Sequence, residues 1–302
     1  MDPLVIAQIV VAAAQDMLFA LAAGALACGV MSGRQGENPA DGPGRWRLGA
    51  LCALALACGL YLWLQAAVMS GASFTDAGPA VTAVLTQSHF GIAWTTGFAG
   101  VVLAVLAGKR DSRPAWWLVA VGAVVYAAGK AAASHAADAG DFTPREAVHI
   151  VHLCATALWA GSVIVAARML HRPGDATFVT PASRVAFCSQ LSQLATIALG
   201  VVIVTGIYNA TQNTAHLSAP LLSVLYGRML TLKLVFVVLA VLLGGYNRMT
   251  HLPHLQSVLA DGGKAFGEAQ RRFNRLLVIE ALIMLVVLAA AAVLGHTSPS
   301  SA

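Results

Sequence analysis

Long apolar runs alternate with short polar connections along the whole chain, and this alternation predicts the architecture. Eight runs stand out, at about residues 4–31, 48–70, 89–107, 115–133, 148–170, 187–208, 224–246 and 276–294. Each has the roughly 20 mostly apolar residues that a helix needs to cross a bilayer. The connections between them are too short for a second domain, so residues 1–302 are expected to form a single transmembrane domain. The linker SGRQGENPADGPGRWR and the stretch 247–275 are polar enough to be expected as solvated loops. The first run has no positive leader region or small-residue cleavage site and is longer than the apolar segment of a signal peptide, so it is read as a retained helix. The expectation is an all-α integral membrane protein, a bundle of eight transmembrane helices.

Composition supports the pattern. Of the 302 residues, 58% are hydrophobic and only 10% charged, against roughly 25% charged in a soluble domain. The formal net charge of +5 does not point to nucleic acid, because the basic residues fall in short clusters between the spans, as membrane topology requires. Five cysteines (28, 52, 58, 154 and 188) form no CxxC pair and lie in or beside apolar runs. They are expected to pack as small apolar residues, not to form disulfides.

The basic clusters also set an orientation. Arg34, Arg45 and Arg47; Lys109, Arg110 and Arg113; Arg168, Arg172 and Arg184; and Arg248, Lys264, Arg271, Arg272 and Arg275 occupy alternate connections. The intervening ones contain a single arginine, Arg145, among the acids Asp138, Asp141 and Glu146. Basic loops stay cytoplasmic, so both termini are expected to be extracytoplasmic.

Five ionisable residues remain inside the spans: Asp16, Lys130, Arg228, Lys233 and Glu280. Such groups are costly at depth, and each is expected to face the bundle interior or water. Counting 1.5 Å per residue puts Asp16 roughly 18 Å from the outer end, near mid-bilayer. Lys233 is expected at similar depth and is the first partner to consider for Asp16, whereas Lys130 and Arg228 suit snorkelling. Met17, a soft sulfur donor, adjoins Asp16.

Histidines concentrate at the outer side. His89 opens the third span, His135 follows the fourth, His149 and His152 open the fifth, and His216 and His296 lie at outer positions. His149 and His152, three residues apart, share a helix face. The SHAAD segment carrying His135 and Asp138 is about a dozen residues upstream. Imidazoles with a carboxylate at a water-exposed mouth suit a transition metal, copper or zinc rather than magnesium or calcium. His216 and His296 read more simply as interfacial residues, and the cytoplasmic pair His251 and His254 as surface. Met69 and Met17 are candidates for a deeper thioether path for Cu(I).

There is no HExxH, GxSxG or Walker A motif and no paired carboxylate arrangement, so hydrolase and ATP-driven pump chemistry lack their parts and no enzyme is expected. A haem-binding or quinone-linked membrane redox protein remains an alternative, with His152 and His89 as axial candidates. So does a metal-binding membrane sensor.

VHLCATALWAGSV, LATIALGVVIVTGIYNA, YGRMLTLKLVFVVLAVLLGGYNRMTHLPHL and RRFNRLLVIEALIMLVVL, in that order, resemble the copper resistance protein D (CopD/PcoD) family. The likeness covers about residues 134–294, with weaker echoes such as HFGIAWTTGF in the first three spans. It implies an inner-membrane, multi-pass protein of bacterial copper resistance that moves copper ions across the cytoplasmic membrane, often alongside a periplasmic CopC-like copper carrier. By motif it implies His135 and His152 as copper ligands, with Trp159 seven residues after His152. His89 and His149 have no counterpart in the family pattern and stand as supplementary ligands. Thr95 and Thr96 stand where a basic residue is expected. The copper oxidation state, Cu(I) or Cu(II), stays open. Imidazole must be neutral to bind metal, so binding is expected to weaken as pH falls through roughly 6.

Overall fold

The computed structural model describes residues 2–34, 42–134, 136–137, 140, 142–171, 178, 180–214, 221–260 and 263–297. Among them the secondary structure is helical throughout. The long helices are α1 (Pro3–Gly33), α2 (Pro43–Ser70), α4 (His89–Gly108), α5 (Arg113–Ala132), α6 (Pro144–His171), α7 (Pro181–Thr214), α8 (Leu225–Tyr246) and α10 (Gly263–Leu294). Eight helices are long and apolar enough to cross a membrane, matching the eight runs.

The helices exceed the apolar runs at their ends. Residues 247–275, expected as a solvated loop, hold a π-helical turn (Asn247–His251), the short α9 (Leu252–Ser257) and the first part of α10, from Gly263. The reason is amphipathic burial. Leu252, Leu255, Phe266, Ala269 and Phe273 are buried at helical spacing while Lys264, Arg271 and Arg272 stay outside. A further helix, α3 (Gly78–Gln87), lies in the connection after α2 and packs on α2 and α4. Pro79 in its first turn suits helix initiation.

In a bilayer, small residues let helices approach closely and gain dispersion contacts. The central example is α1 on α6. A Cβ added to Gly161 would collide with the Ala20 carbonyl, and one on Gly24 would strike the Gly161 backbone. The same device joins α4 to α5, where Gly100 and Gly122 lie against each other's helix backbone. Around α6 the core closes with Phe19, Cys28, Trp159, Met169, Phe187 and Met284. Cys28, Cys58 and Cys188 are buried free thiols, and Cys28 Sγ reaches the Ser162 carbonyl at 3.6 Å.

At the end of the bundle opposite the N-terminus, Arg47 is 2% exposed and lies 3.7 Å from Asp111, the carboxylate of the connection between α4 and α5. Asp111 also accepts a 2.7 Å hydrogen bond from Trp116 Nε1, so one acid ties α2 to α5.

Candidate functional site

The interior near the N-terminal end is polar. On α1, Gln8 donates to Gln65 Oε1 of α2 at 2.7 Å, and Gln15 donates to the Ala57 carbonyl at 3.1 Å. One residue further, Asp16 forms an ion pair with Lys130 of α5. This corrects the expectation for both residues. The partner of Asp16 is not Lys233, and Lys130 does not snorkel to the surface but turns inward to the carboxylate. Lys233 of α8 is partly buried and remains within electrostatic reach of Asp16. Tyr126 packs on Phe19 with ring centroids 4.9 Å apart. Met17, next to Asp16, is partly buried against the main core.

The histidine pair sits at the start of α6. The His149 and His152 rings lie nearly parallel, 17° between planes and 6.4 Å between centroids. Each is held by α7. His152 Nδ1 is 2.9 Å from Thr205 Oγ1, whose single hydroxyl proton is used on the Val201 carbonyl at 2.6 Å. Nδ1 of His152 therefore carries a proton, and in the neutral ring Nε2 keeps its lone pair for a metal or another donor. His149 differs: its Nδ1 is 3.3 Å from Asn209 Nδ2, a donor, so that nitrogen is already an acceptor. Gly206 makes room for the ring, since a Cβ there would lie 3.3 Å from His152 Cε1. Lys233 acts electrostatically on both imidazoles.

The other sequence candidates lie elsewhere. His89 is exposed at the start of α4 and lines a cavity of about 280 Å³ with Ser134, Ala137 and Gly295. His135 and Asp138, which belong to that segment, lie outside the described residues, as does His216. The structure thus groups His89 with the residues flanking His135, and His149 with His152. Among the described residues no three His, Cys, Asp or Glu side chains gather closely enough to hold one ion. Met69 is 51% exposed at the end of α2, and Trp159 is 2% exposed in the core. Thr95 and Thr96 donate to carbonyls of their own helix. As haem ligands, His89 and His152 would need facing helices, but α4 packs chiefly on α5, α2 and α3, and α6 on α1, α7, α10 and α5.

His296, read from the sequence as interfacial, has defined partners. Its Nδ1 donates to the Ala292 carbonyl at 2.9 Å, which leaves Nε2 to accept from Tyr61 Oη at 3.0 Å. Sequence reasoning missed Tyr61, Tyr126, Thr205 and Asn209. The clue available was position: Thr205 and Asn209 lie four apart, one helical turn, toward the end of the helix that follows the histidine-bearing one.

Two family profiles match the chain: residues 1–142 match the copper resistance protein D-like N-terminal domain, and residues 185–294 match copper resistance protein D. The chain belongs to the copper resistance protein D family. It is accordingly a multi-pass copper resistance membrane protein. Asp16, Met17, Met69, His89, His135 and Asp138 lie in the N-terminal match and Lys233 in the second, whereas His149, His152 and Trp159 fall between the two. No curated protein and no solved structure matches the chain.

Proposed function

We propose that this protein takes up copper at imidazoles on its extracytoplasmic side and passes the ion through the bundle across a bacterial inner membrane, with a periplasmic CopC-like carrier as donor. The observation that carries this reading is the state of His152. With the Thr205 hydroxyl spent on the Val201 carbonyl, His152 Nδ1 is the donor toward Thr205, so Nε2 is presented as a ligand nitrogen beside His149. Membership of a copper resistance family makes copper, rather than zinc, the cargo for those donors. His135 and His89 are the remaining ligands in this reading, with Asp138 beside them.

Charge balance suggests how the ion proceeds. Lys130 and Lys233 make the interior below His152 positive, and Asp16 is the counter-charge within reach of both. A cation can use Asp16 and Met17 as its next station only when Lys130 releases the carboxylate, so the Asp16–Lys130 pair is the barrier to the deeper bundle.

The test is copper binding by purified protein. His135→Ala with His152→Ala should abolish it, and unchanged stoichiometry and affinity in that double variant would sink the site. Thr205→Val, which removes the hydroxyl acceptor but keeps the side-chain shape, should weaken copper affinity about tenfold, as expected for a partner of a ligating histidine. Copper accumulation in proteoliposomes separates a transporter from a sensor, which would bind without accumulating.

A further inference from the structure

Glu280 takes no part in the outer cluster. It lies on α10, 5% exposed, with its carboxyl packed directly on the backbone of α8. A Cβ on Gly244 would come within 2.9 Å of Glu280 Oε1, so the glycine leaves the space that the carboxyl fills. Among the described residues it has no hydrogen bond and no ion pair. The elements packed on α10 carry charged or titratable groups that include Asp16 and Cys28 on α1, His149, His152, Cys154, Arg168 and His171 on α6, Arg228, Lys233 and Tyr246 on α8, Arg248 and His251 in the π turn and His254 on α9.

A carboxylate at this depth without a cation is far costlier than the neutral acid. Arg248, the nearest basic residue in the adjoining π turn, is bound instead to Thr196 and to the Ser192 carbonyl of α7. Between Glu280 and the end of the bundle with the basic loops lie two further buried polar residues, Asn247 and Gln270, 3% and 4% exposed. Asn247 Nδ2 donates to the Phe273 carbonyl and Gln270 Nε2 to Asn274 Oδ1. The amide oxygens of both have no donor among the described residues. Such orphan acceptors are uncommon in buried positions, and each is open to a hydrogen-bond donor. The π turn beginning at Asn247 adds a feature that recurs at functional sites.

We propose that Glu280 is a proton-binding site in the half of the bundle nearer the basic loops, neutral at rest, and that arrival of the copper cation drives its proton out past Asn247 and Gln270. For Cu(I), one positive charge enters the site as one proton leaves it and the buried charge is unchanged; Cu(II) would leave one positive charge in excess. The discharge step rests on the transport reading above; the resting proton does not.

The test uses the intact protein in lipid and Glu280→Gln, which keeps the shape and neutrality of the protonated acid and should fold normally. Wild type at neutral pH should show an infrared band of a protonated carboxyl that is absent in E280Q. Identical spectra would overturn the resting proton. In copper-loaded proteoliposomes with a trapped pH dye, wild type should move protons with copper, and E280Q should lose that proton movement while retaining copper binding. Equal proton movement in both overturns the role of Glu280 and leaves transport standing. If wild type moves no copper, the transport reading and the discharge step fall together, and the infrared band still decides whether Glu280 holds the proton.

Discussion

Gly161→Ala is expected to lower stability by about 3 kcal/mol, the upper part of the range for overpacking. The added methyl meets the carbonyl of Ala20, a backbone atom that cannot rotate aside, so α1 and α6 must part along their closest approach. α6 is the helix around which the core closes, so the separation loosens contacts well beyond the site of substitution. Thermal unfolding of the purified protein reads the loss. Gly200→Ala is the control, because its added Cβ has nothing within 4 Å and faces outward on α7. Equal melting temperatures for the two variants would show that the α1–α6 contact does not set the stability.

Lys130→Met should cost about 3–5 kcal/mol, because it leaves the Asp16 carboxylate inside the bundle without its ion-pair partner. Combining it with Asp16→Asn should recover most of that loss, since two neutral groups remain where an unpaired charge stood. A double-mutant cycle by denaturant unfolding isolates the coupling. Lys233→Met should cost clearly less, because Lys233 reaches Asp16 through space without bonding to it. A larger loss for Lys233→Met than for Lys130→Met would reverse the assignment of the pair.

The spans were legible because their signal is crude: a run of about 20 apolar residues satisfies a length requirement set by the bilayer, whatever its neighbours are. The extensions of α10 and α7 were harder to see, since there a helix is held by one buried face, as with Phe266 and Phe273, and its average polarity resembles a loop. The cost of burying charge marked Asp16, Lys130, Lys233 and Glu280 as interior residues, and hydropathy alone says nothing about which helices are adjacent. For that reason depth favoured Lys233 as the partner of Asp16 and Lys130 read as a snorkelling residue, and only the packing of the helices shows that Lys130 of α5 makes the pair. Thr205, Asn209 and Tyr61 escaped notice because hydroxyls and amides are tolerated in spans at little cost, so their presence raises no alarm until a histidine is found opposite them. The grouping of His149 with His152 followed from helical spacing. Their attachment to α7, and with it the tautomer of His152, depends on a neighbour that spacing does not reveal.

One further consequence concerns α8. Its most apolar stretch is only 6% buried, and α10 is its one extensive neighbour among the long helices. Leu232, Leu234, Val235, Val238, Leu239 and Leu242 all point away from protein. Acyl chains are therefore the medium that solvates most of this helix, and its seat is set by lipid as much as by side chains. Bilayer thickness and the choice of detergent should act first on α8, and through it on the placement of Lys233 and of the Gly244 backbone against which Glu280 rests.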